Sequence, residues 1–300
     1  MMAAAIRSSG MKIWLDGQLV DKSDAKLSVF DHGLLYGDGV FEGIRVYHGT
    51  IFECDAHMDR LFRSADRIRL KMPFTRQQIV DGLHQTLQAN NRRDGYIRLV
   101  VTRGPGTLGL NPAKCPRGSV FIIADSIELY PRALYETGMP VIIAKTVRTA
   151  ARMVDPSVKS LNYLNNIMAR IECNDAGVAE AIMLNEHGKV AEGTGDNVFI
   201  VRGGKLMTPP AEAGVLLGVT RGVVLKLSRE LGIPAAEQEF GPEELMGADE
   251  CFLTGTAAEV ISVCKINGKP VGSGTRGPVT LRLHEAFHQY IRNQCDRSGR

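Results

Sequence analysis

Pro156-Ser157-Val158-Lys159-Ser160-Leu161-Asn162-Tyr163-Leu164-Asn165-Asn166 sets a lysine among small polar and apolar residues, at the entrance to a helix expected over 163–176. Most other lysines of the chain stand beside charged or turn residues, as solvated lysines do. A lysine partly withdrawn from water has a lowered pKa and serves as a nucleophilic amine toward a carbonyl. Taken alone, the segment is better read as a surface lysine near a helix start, so its meaning depends on what surrounds it.

Downstream of it the pattern runs strand 181–184, a turn at Glu186-His187-Gly188, strand 198–201, a hairpin at Gly203-Gly204, then Pro209-Pro210 and helices over 220–231 and 279–292. Upstream, residues 11–20 alternate around Asp16-Gly17, a hairpin signal. A strand over 40–47 turns at His48-Gly49-Thr50. A helix follows from Asp55, a plausible N-cap, with Met58, Leu61, Phe62, Ala65 and Ile68 on one face. Thr75 with Gln78 forms a capping box for a second helix. Strands are expected over 96–101 and 120–124, separated by a Gly/Pro-rich loop over 103–112. Strands mixed with helices in both halves predict an α/β (α+β mixed) chain of two domains. Their expected bounds are a loose leader over 1–10, a smaller N-terminal domain over 11–128, a linker over 129–138 and a larger domain over 139–300.

The composition agrees with that size. The chain has 300 residues, 44% of them hydrophobic and 23% charged, ordinary values for a packed core. A net charge of +3 is too mild to mark a partner of nucleic acid or of a membrane surface. No apolar run approaches the ~18 residues of a spanning helix, and Met1 to Arg7 offers no signal-peptide core. Six cysteines lie scattered without zinc spacing, which reads as reduced thiols in a cytoplasmic protein and predicts no metal.

Three more segments, and one arginine, carry groups suited to chemistry. Ala191-Glu192-Gly193-Thr194-Gly195-Asp196-Asn197 combines two glycines, which admit a close ligand, with a carboxylate able to face a ring nitrogen; alone it is a turn carrying a surface acid. Leu217-Gly218-Val219-Thr220-Arg221-Gly222 opens a helix whose first amides suit a phosphate. Thr254-Gly255-Thr256-Ala257-Ala258 offers a hydroxyl and free amides. Arg60, near an apolar helical stripe, either reaches an anion or snorkels. Asp31 and His32 read as structural.

Taken together and in order, these segments resemble the class IV (fold type IV) pyridoxal-phosphate-dependent aminotransferases, from about Ile13 to Tyr290. The resemblance also rests on Tyr36-Gly37-Asp38-Gly39-Val40-Phe41-Glu42-Gly43-Ile44-Arg45 and Tyr96-Ile97-Arg98. The Phe41-to-Arg45 form is similar to the branched-chain amino-acid aminotransferases. D-amino-acid aminotransferases more often carry tyrosine and a larger residue at positions 41 and 43, and aminodeoxychorismate lyases usually carry threonine at 43. These two remain the alternatives.

The resemblance implies a two-domain enzyme with its site at the domain junction. It would move amino groups between leucine, isoleucine or valine and 2-oxoglutarate. Lys159 would be the catalytic amine, joined to the aldehyde of pyridoxal 5'-phosphate. Glu192 would face the pyridine nitrogen and Tyr163 the 3-oxygen. Arg60, Val219, Thr220 and Thr256 would hold the phosphate, with Gly195, Asp196, Leu217 and Gly218 also against the cofactor. Tyr96 and the amides of Thr256 and Ala257 would take the α-carboxylate, and Arg98 the distal carboxylate of glutamate. Phe41 would wall an apolar pocket in which Gly43 leaves room for a branched side chain. Tyr130 would line it, and Tyr36, Leu108 and Leu110 would close it from a neighbouring subunit, implying a homodimer or larger homo-oligomer. Phe41 as plain core and Arg98 as half of a buried ion pair are the structural counterparts.

Overall fold

A computed structural model describes residues 10–298; of the expected leader, 1–9 lie outside the described residues. The chain runs β1 (Lys12–Leu15), β2 (Gln18–Asp21), α1 (His32–Tyr36), β3 (Gly39–Tyr47), β4 (Thr50–Ile51), α2 (Cys54–Arg67), α3 (Arg76–Ala89), β5 (Gly95–Thr102) and β6 (Ser119–Asp125). It continues through α4 (Arg132–Thr137), β7 (Met139–Ile143), α5 (Leu164–Ala176), β8 (Glu180–Leu184), β9 (Val190–Gly193), β10 (Asn197–Arg202) and β11 (Lys205–Thr208). Then come α6 (Val219–Glu230), β12 (Ala235–Glu237), α7 (Pro242–Met246), β13 (Glu250–Gly255), β14 (Glu259–Ile266), β15 (Lys269–Pro270) and α8 (Pro278–Ser298).

The first six strands form one antiparallel sheet in the order β2-β1-β6-β5-β3-β4. One face carries α2 and α3, and Met58, Leu61, Ala65, Ile79 and Leu83 pack there against Trp14, Ile44, Ile97 and Ile122. The opposite face of β3 and β5 is left for Phe41, Gly43, Tyr96 and Arg98, because successive strand residues point to opposite sides. The capping box at Thr75 is formed: its hydroxyl accepts from Gln78 N at 3.3 Å, and Gln78 Oε1 accepts from Thr75 N at 2.9 Å. Asp55 is not a cap. The cap lies two residues earlier, at Glu53 with φ 50°, and Asp55 lies in the first turn, where its charge favours the helix dipole.

The second sheet mixes directions in the order β12-β11-β10-β13-β14-β7-β8-β9, with β15 beside β14. Pairing of β9 with β10 closes six of these strands into a ring. The pairs β14–β7 and β7–β8 are parallel, the second of them made so by the α5 crossover between β7 and β8. The helices α6 and α8 cover one side, burying Phe199, Phe252, Val224, Leu283 and Phe287 together. Segment 129–138, expected as a linker, contains α4 between Pro131 and Gly138. Among the described residues no helix is long and apolar enough to cross a membrane.

Replacing Thr75 by alanine removes a side-chain acceptor at a helix start and should cost about 1 kcal/mol. The measurement is the urea midpoint, lowered with an unchanged slope; an unaltered midpoint would show the cap contributes nothing.

Candidate active site

A cavity of about 580 Å³ lies between the two sheets. Lys159 enters it from a segment tied to β3: Phe41 N donates to Lys159 O at 3.0 Å and Leu161 N to Gly39 O at 2.9 Å. Lys159 N also donates to Ser64 Oγ on α2 at 3.2 Å. Both backbone neighbours being pinned, the side chain has one direction to go. Its Nζ stands 2.9 Å from Tyr163 Oη and 4.4 Å from the Phe41 ring centre. No carboxylate pairs with it among the described residues.

Glu192 is buried, not on a surface turn, because residues 190–193 form strand β9 inside the closed sheet. Its Oε1 accepts from Arg148 Nε at 2.8 Å, and its Oε2 from Leu216 N at 2.9 Å and Asn197 Nδ2 at 3.4 Å. Three donors thus fix the carboxylate at the cavity wall. Arg148 and Asn197 were not legible as partners: neither has a spacing to Glu192 that a local pattern reports.

The start of α6 is uncapped. Gly218 at the N-cap has no side chain to satisfy the first amides, which remain free for an anion. Only glycine fits there, since a Cβ would stand 2.1 Å from Asn197 Oδ1. Gly218, Val219 and Thr220 line the cavity, as do Gly195, Thr256 and Ala257. Leu217 itself is partly exposed and Leu216 takes the lining position; the part of Leu217 that contributes is its carbonyl, which accepts from Arg60 at 3.2 Å. Arg60 does not snorkel. It is buried and clamped by Glu42, with Nε to Oε1 at 2.7 Å and Nη2 to Oε2 at 2.6 Å. His57 Nδ1 lies 2.8 Å from Glu42 Oε2. Burial raises the Glu42 pKa, but the charge and hydrogen bonds of Arg60, aided by His57, outweigh it and hold the carboxyl at about 2. Glu42 sits one position from Phe41, so its inward aim was implicit in strand alternation; its partner was not.

On the other face of β3, Gly43 pairs with Arg98 and Arg45 with Tyr96. The expected vacancy over Gly43 is taken: a Cβ there would meet Tyr96 Oη at 1.7 Å. The glycine makes room for this phenol, and any space for substrate lies beyond it. Arg98 packs over Phe41 at 4.6 Å and Tyr96 at 5.5 Å. It is not half of an ion pair among the described residues, so a cation stands uncompensated in the cavity. Tyr130 lines the wall beside Asp196. Tyr36, Leu108 and Leu110 do not reach the cavity within one chain. Tyr36 is held to the 108–110 loop outside it, Gly109 N donating to Tyr36 Oη at 3.0 Å, and both leucines are exposed. Asp31 caps α1 and His32 reaches Thr107 O at 2.9 Å, both structural roles. All six thiols are free.

A nucleophilic amine, an uncapped helix start with an arginine beneath it, and a fixed carboxylate around one cavity define a site for an aldehyde-bearing aromatic phosphate. Residues 39–266 match the amino-transferase class IV family, and the chain belongs to that pyridoxal-phosphate-dependent family. It is 49% identical over 277 residues to a putative branched-chain-amino-acid aminotransferase of Methanocaldococcus jannaschii, covering 92% of this chain and 95% of the relative. Identity to the branched-chain-amino-acid aminotransferase of Pseudomonas aeruginosa is 37%, over 95% and 94% of the two chains. The crystal structure of the branched-chain aminotransferase from Thermoproteus uzoniensis with norvaline superposes at TM-score 0.89 and 40% identity, covering 95% of each chain.

Because the folded Glu42 pKa lies below its ordinary 4.5, its contribution to stability is complete above that value and is lost as pH falls toward about 2. Glu42→Gln should leave Arg60 buried without its counter-ion and cost about 3–5 kcal/mol at neutral pH. Acid titration of unfolding should show a shallower decline for the variant; parallel curves would refute the assigned pairing.

Proposed function

We propose that this chain is a branched-chain-amino-acid aminotransferase, exchanging amino groups between leucine, isoleucine or valine and 2-oxoglutarate. Arg98 is the observation that carries the substrate assignment. A cation without a partner, laid on an aromatic wall, accepts two unlike acids: the apolar branch packs on Phe41, and the distal carboxylate of glutamate pairs with the guanidinium.

The residues present fit pyridoxal phosphate. The amides of Val219 and Thr220, the Thr256 hydroxyl and Arg60 would hold its phosphate, and Lys159 its aldehyde carbon. Glu192 would sit at the pyridine nitrogen, and Tyr163 at the 3-oxygen. Gly195, Asp196 and the Leu217–Gly218 backbone border the same group. When bound, the cofactor supplies the electron sink for charge developing at the substrate Cα. The chain's own contribution is placement and proton transfer. Lys159 Nζ would take the proton from the substrate Cα and give it up again, acting as base and then acid. Tyr163, hydrogen-bonded to that nitrogen, keeps it aimed. Tyr96 and the amides at Thr256 and Ala257 would orient the α-carboxylate, so that Cα faces Lys159.

Several further features belong to this reading. Two sheets joined by segment 129–138 support two domains, 11–128 and 139–300, with the site between them. The exposed apolar side chains Val29, Phe30, Leu34, Leu108, Leu110 and Ile167 support a homo-oligomer in which a second copy brings Tyr36, Leu108 and Leu110 over the cavity. Free thiols throughout support a cytoplasmic setting.

Leucine alone should convert the cofactor absorption of the holoenzyme to its amino form, and D-alanine should not; the reverse result would make it a D-specific enzyme. Lys159→Ala should lower turnover with leucine and 2-oxoglutarate more than about a hundredfold; turnover at the original rate would sink the reading. Arg98→Gln should raise the KM for 2-oxoglutarate about 10–100-fold, the loss of one charged hydrogen-bonded pair, with a smaller effect on leucine. Equal effects on both would remove Arg98 from substrate selection.

A further inference from the structure

Tyr130 Oη stands 3.0 Å from Glu180 Oε2 and 2.9 Å from Asp196 Oδ2. All three side chains are buried and line the cavity. A phenol has one hydrogen and donates it once. The second short oxygen–oxygen contact therefore needs another proton, and it has to come from one of the acids. Glu180 is the anion of the pair. Its Oε1 accepts the amides of Ala181 at 2.7 Å and Thr194 at 2.9 Å, and Arg170 lies 3.9 Å from its Oε2. The Asp196 side-chain carboxyl receives no N–H from any described residue. The phenol then donates to Glu180, and Asp196 donates to the phenol.

Asp196 rises from the Thr194-Gly195-Asp196 turn between β9 and β10 and lays its other oxygen over β13. A Cβ built on Gly255 would stand 1.9 Å from Asp196 Oδ1. The carboxyl group thus borders the turn whose Thr256 and Ala257 amides line the cavity. We propose that Asp196 is held there as a neutral carboxylic acid, its proton on Oδ2 toward Tyr130, so that an anionic substrate carboxylate can settle on the adjoining Gly255–Ala257 turn. This rests on the reading of that turn as the α-carboxylate site. Asp196 is a positioning residue: it sets the charge against which the substrate docks and moves no proton in the reaction.

The surroundings agree. Burial, then the charge of Glu180, push Asp196 up to about 7; the Tyr130 hydrogen bond and the charge of Lys159 oppose the rise, and Glu192 adds to it. Tyr135, on α4, is the remaining titratable neighbour; burial and its acidic neighbours push its phenol up, so it stays neutral. Burial and the same two acids push the Tyr130 phenol far up, so it stays a hydrogen carrier. As pH rises through neutrality Asp196 ionises, and a negative charge appears beside the docking turn.

Two measurements on the holoenzyme test this. Infrared spectra without substrate should show the carbonyl stretch of a protonated carboxyl at about pH 6, fading by about pH 9. Asp196→Asn should lack the band, and Glu180→Gln, by removing the neighbouring charge, should move its midpoint to lower pH. If Asp196→Asn does not fold, the Glu180→Gln shift still assigns the band. Absence of the band in the wild-type enzyme, or its loss in Glu180→Gln with retention in Asp196→Asn, overturns the proposal. The second probe is 4-methylvalerate, which is leucine without its amino group. Its affinity should fall about tenfold or more between about pH 7 and about pH 9 in the wild type and stay level in Asp196→Asn. An equal fall in both overturns the link to docking. The band present with no 4-methylvalerate bound at any pH locates the failure in the substrate reading instead.

Discussion

Two backbone hydrogen bonds, from Phe41 N to Lys159 O and from Leu161 N to Gly39 O, fasten the segment ahead of α5 to the third strand of the first sheet. The rest of the site depends on this short antiparallel contact. It brings a lysine from the second half of the chain over an aromatic residue from the first. It also leaves the cavity between the sheets with walls from both. Glu192, the start of α6 and the turn after β13 come from one side, and Phe41, Tyr96 and Arg98 from the other. Neither sheet alone encloses a substrate.

Charge is distributed within that cavity by an evident rule. Groups that must stay put are paired: Arg60 with Glu42, and Glu192 with Arg148. Their hydrogen bonds fix both position and ionisation, at the usual cost of desolvating a buried pair. The cation nearest the apolar wall, Arg98, has aromatic rings beneath it and, among the described residues, no acid in an ion pair with it. A paired group is fixed in place and in charge before any ligand arrives, whereas an uncompensated one takes its counter-charge from the ligand. The same rule separates Asp31 and His32, each satisfied within the loop and helix they hold together, from the residues facing the cavity.

Much of this was legible in the sequence. The strand at 40–47 and the helix at Thr75 announce themselves through alternation and capping, since those signals are local. Lys159, Glu192 and Gly218 could be singled out by residue type, and their order along the chain resembled one family. What the sequence did not disclose is contact between distant segments. Arg148, 44 residues from Glu192, and Glu42, 18 residues from Arg60, have no local signature. Gly43 shows the limit from the other side. Its small size was visible, but the occupant of the space above it, the Tyr96 hydroxyl, depends on register between β3 and β5. Asp55 failed as a cap because a left-handed Glu53 starts the helix two residues early, a backbone choice that side-chain preference does not report. Tyr36, Leu108 and Leu110 belong to a surface that one chain does not complete.

The pairing of β9 with β10 has a consequence for the lifetime of the folded site. In an open sheet, the terminal strand frays most easily, because its amides are held on one side only. Here the strand carrying Glu192 is bonded on both sides. The hinge of the seam is three residues long, and Gly193 N donates to Asp196 O across it. Fraying from that point would withdraw the carboxylate and loosen the ring together. Amide exchange over the strand 190–193 is therefore expected to be slow beside that of an edge strand, so that the carboxylate it carries is held late into melting.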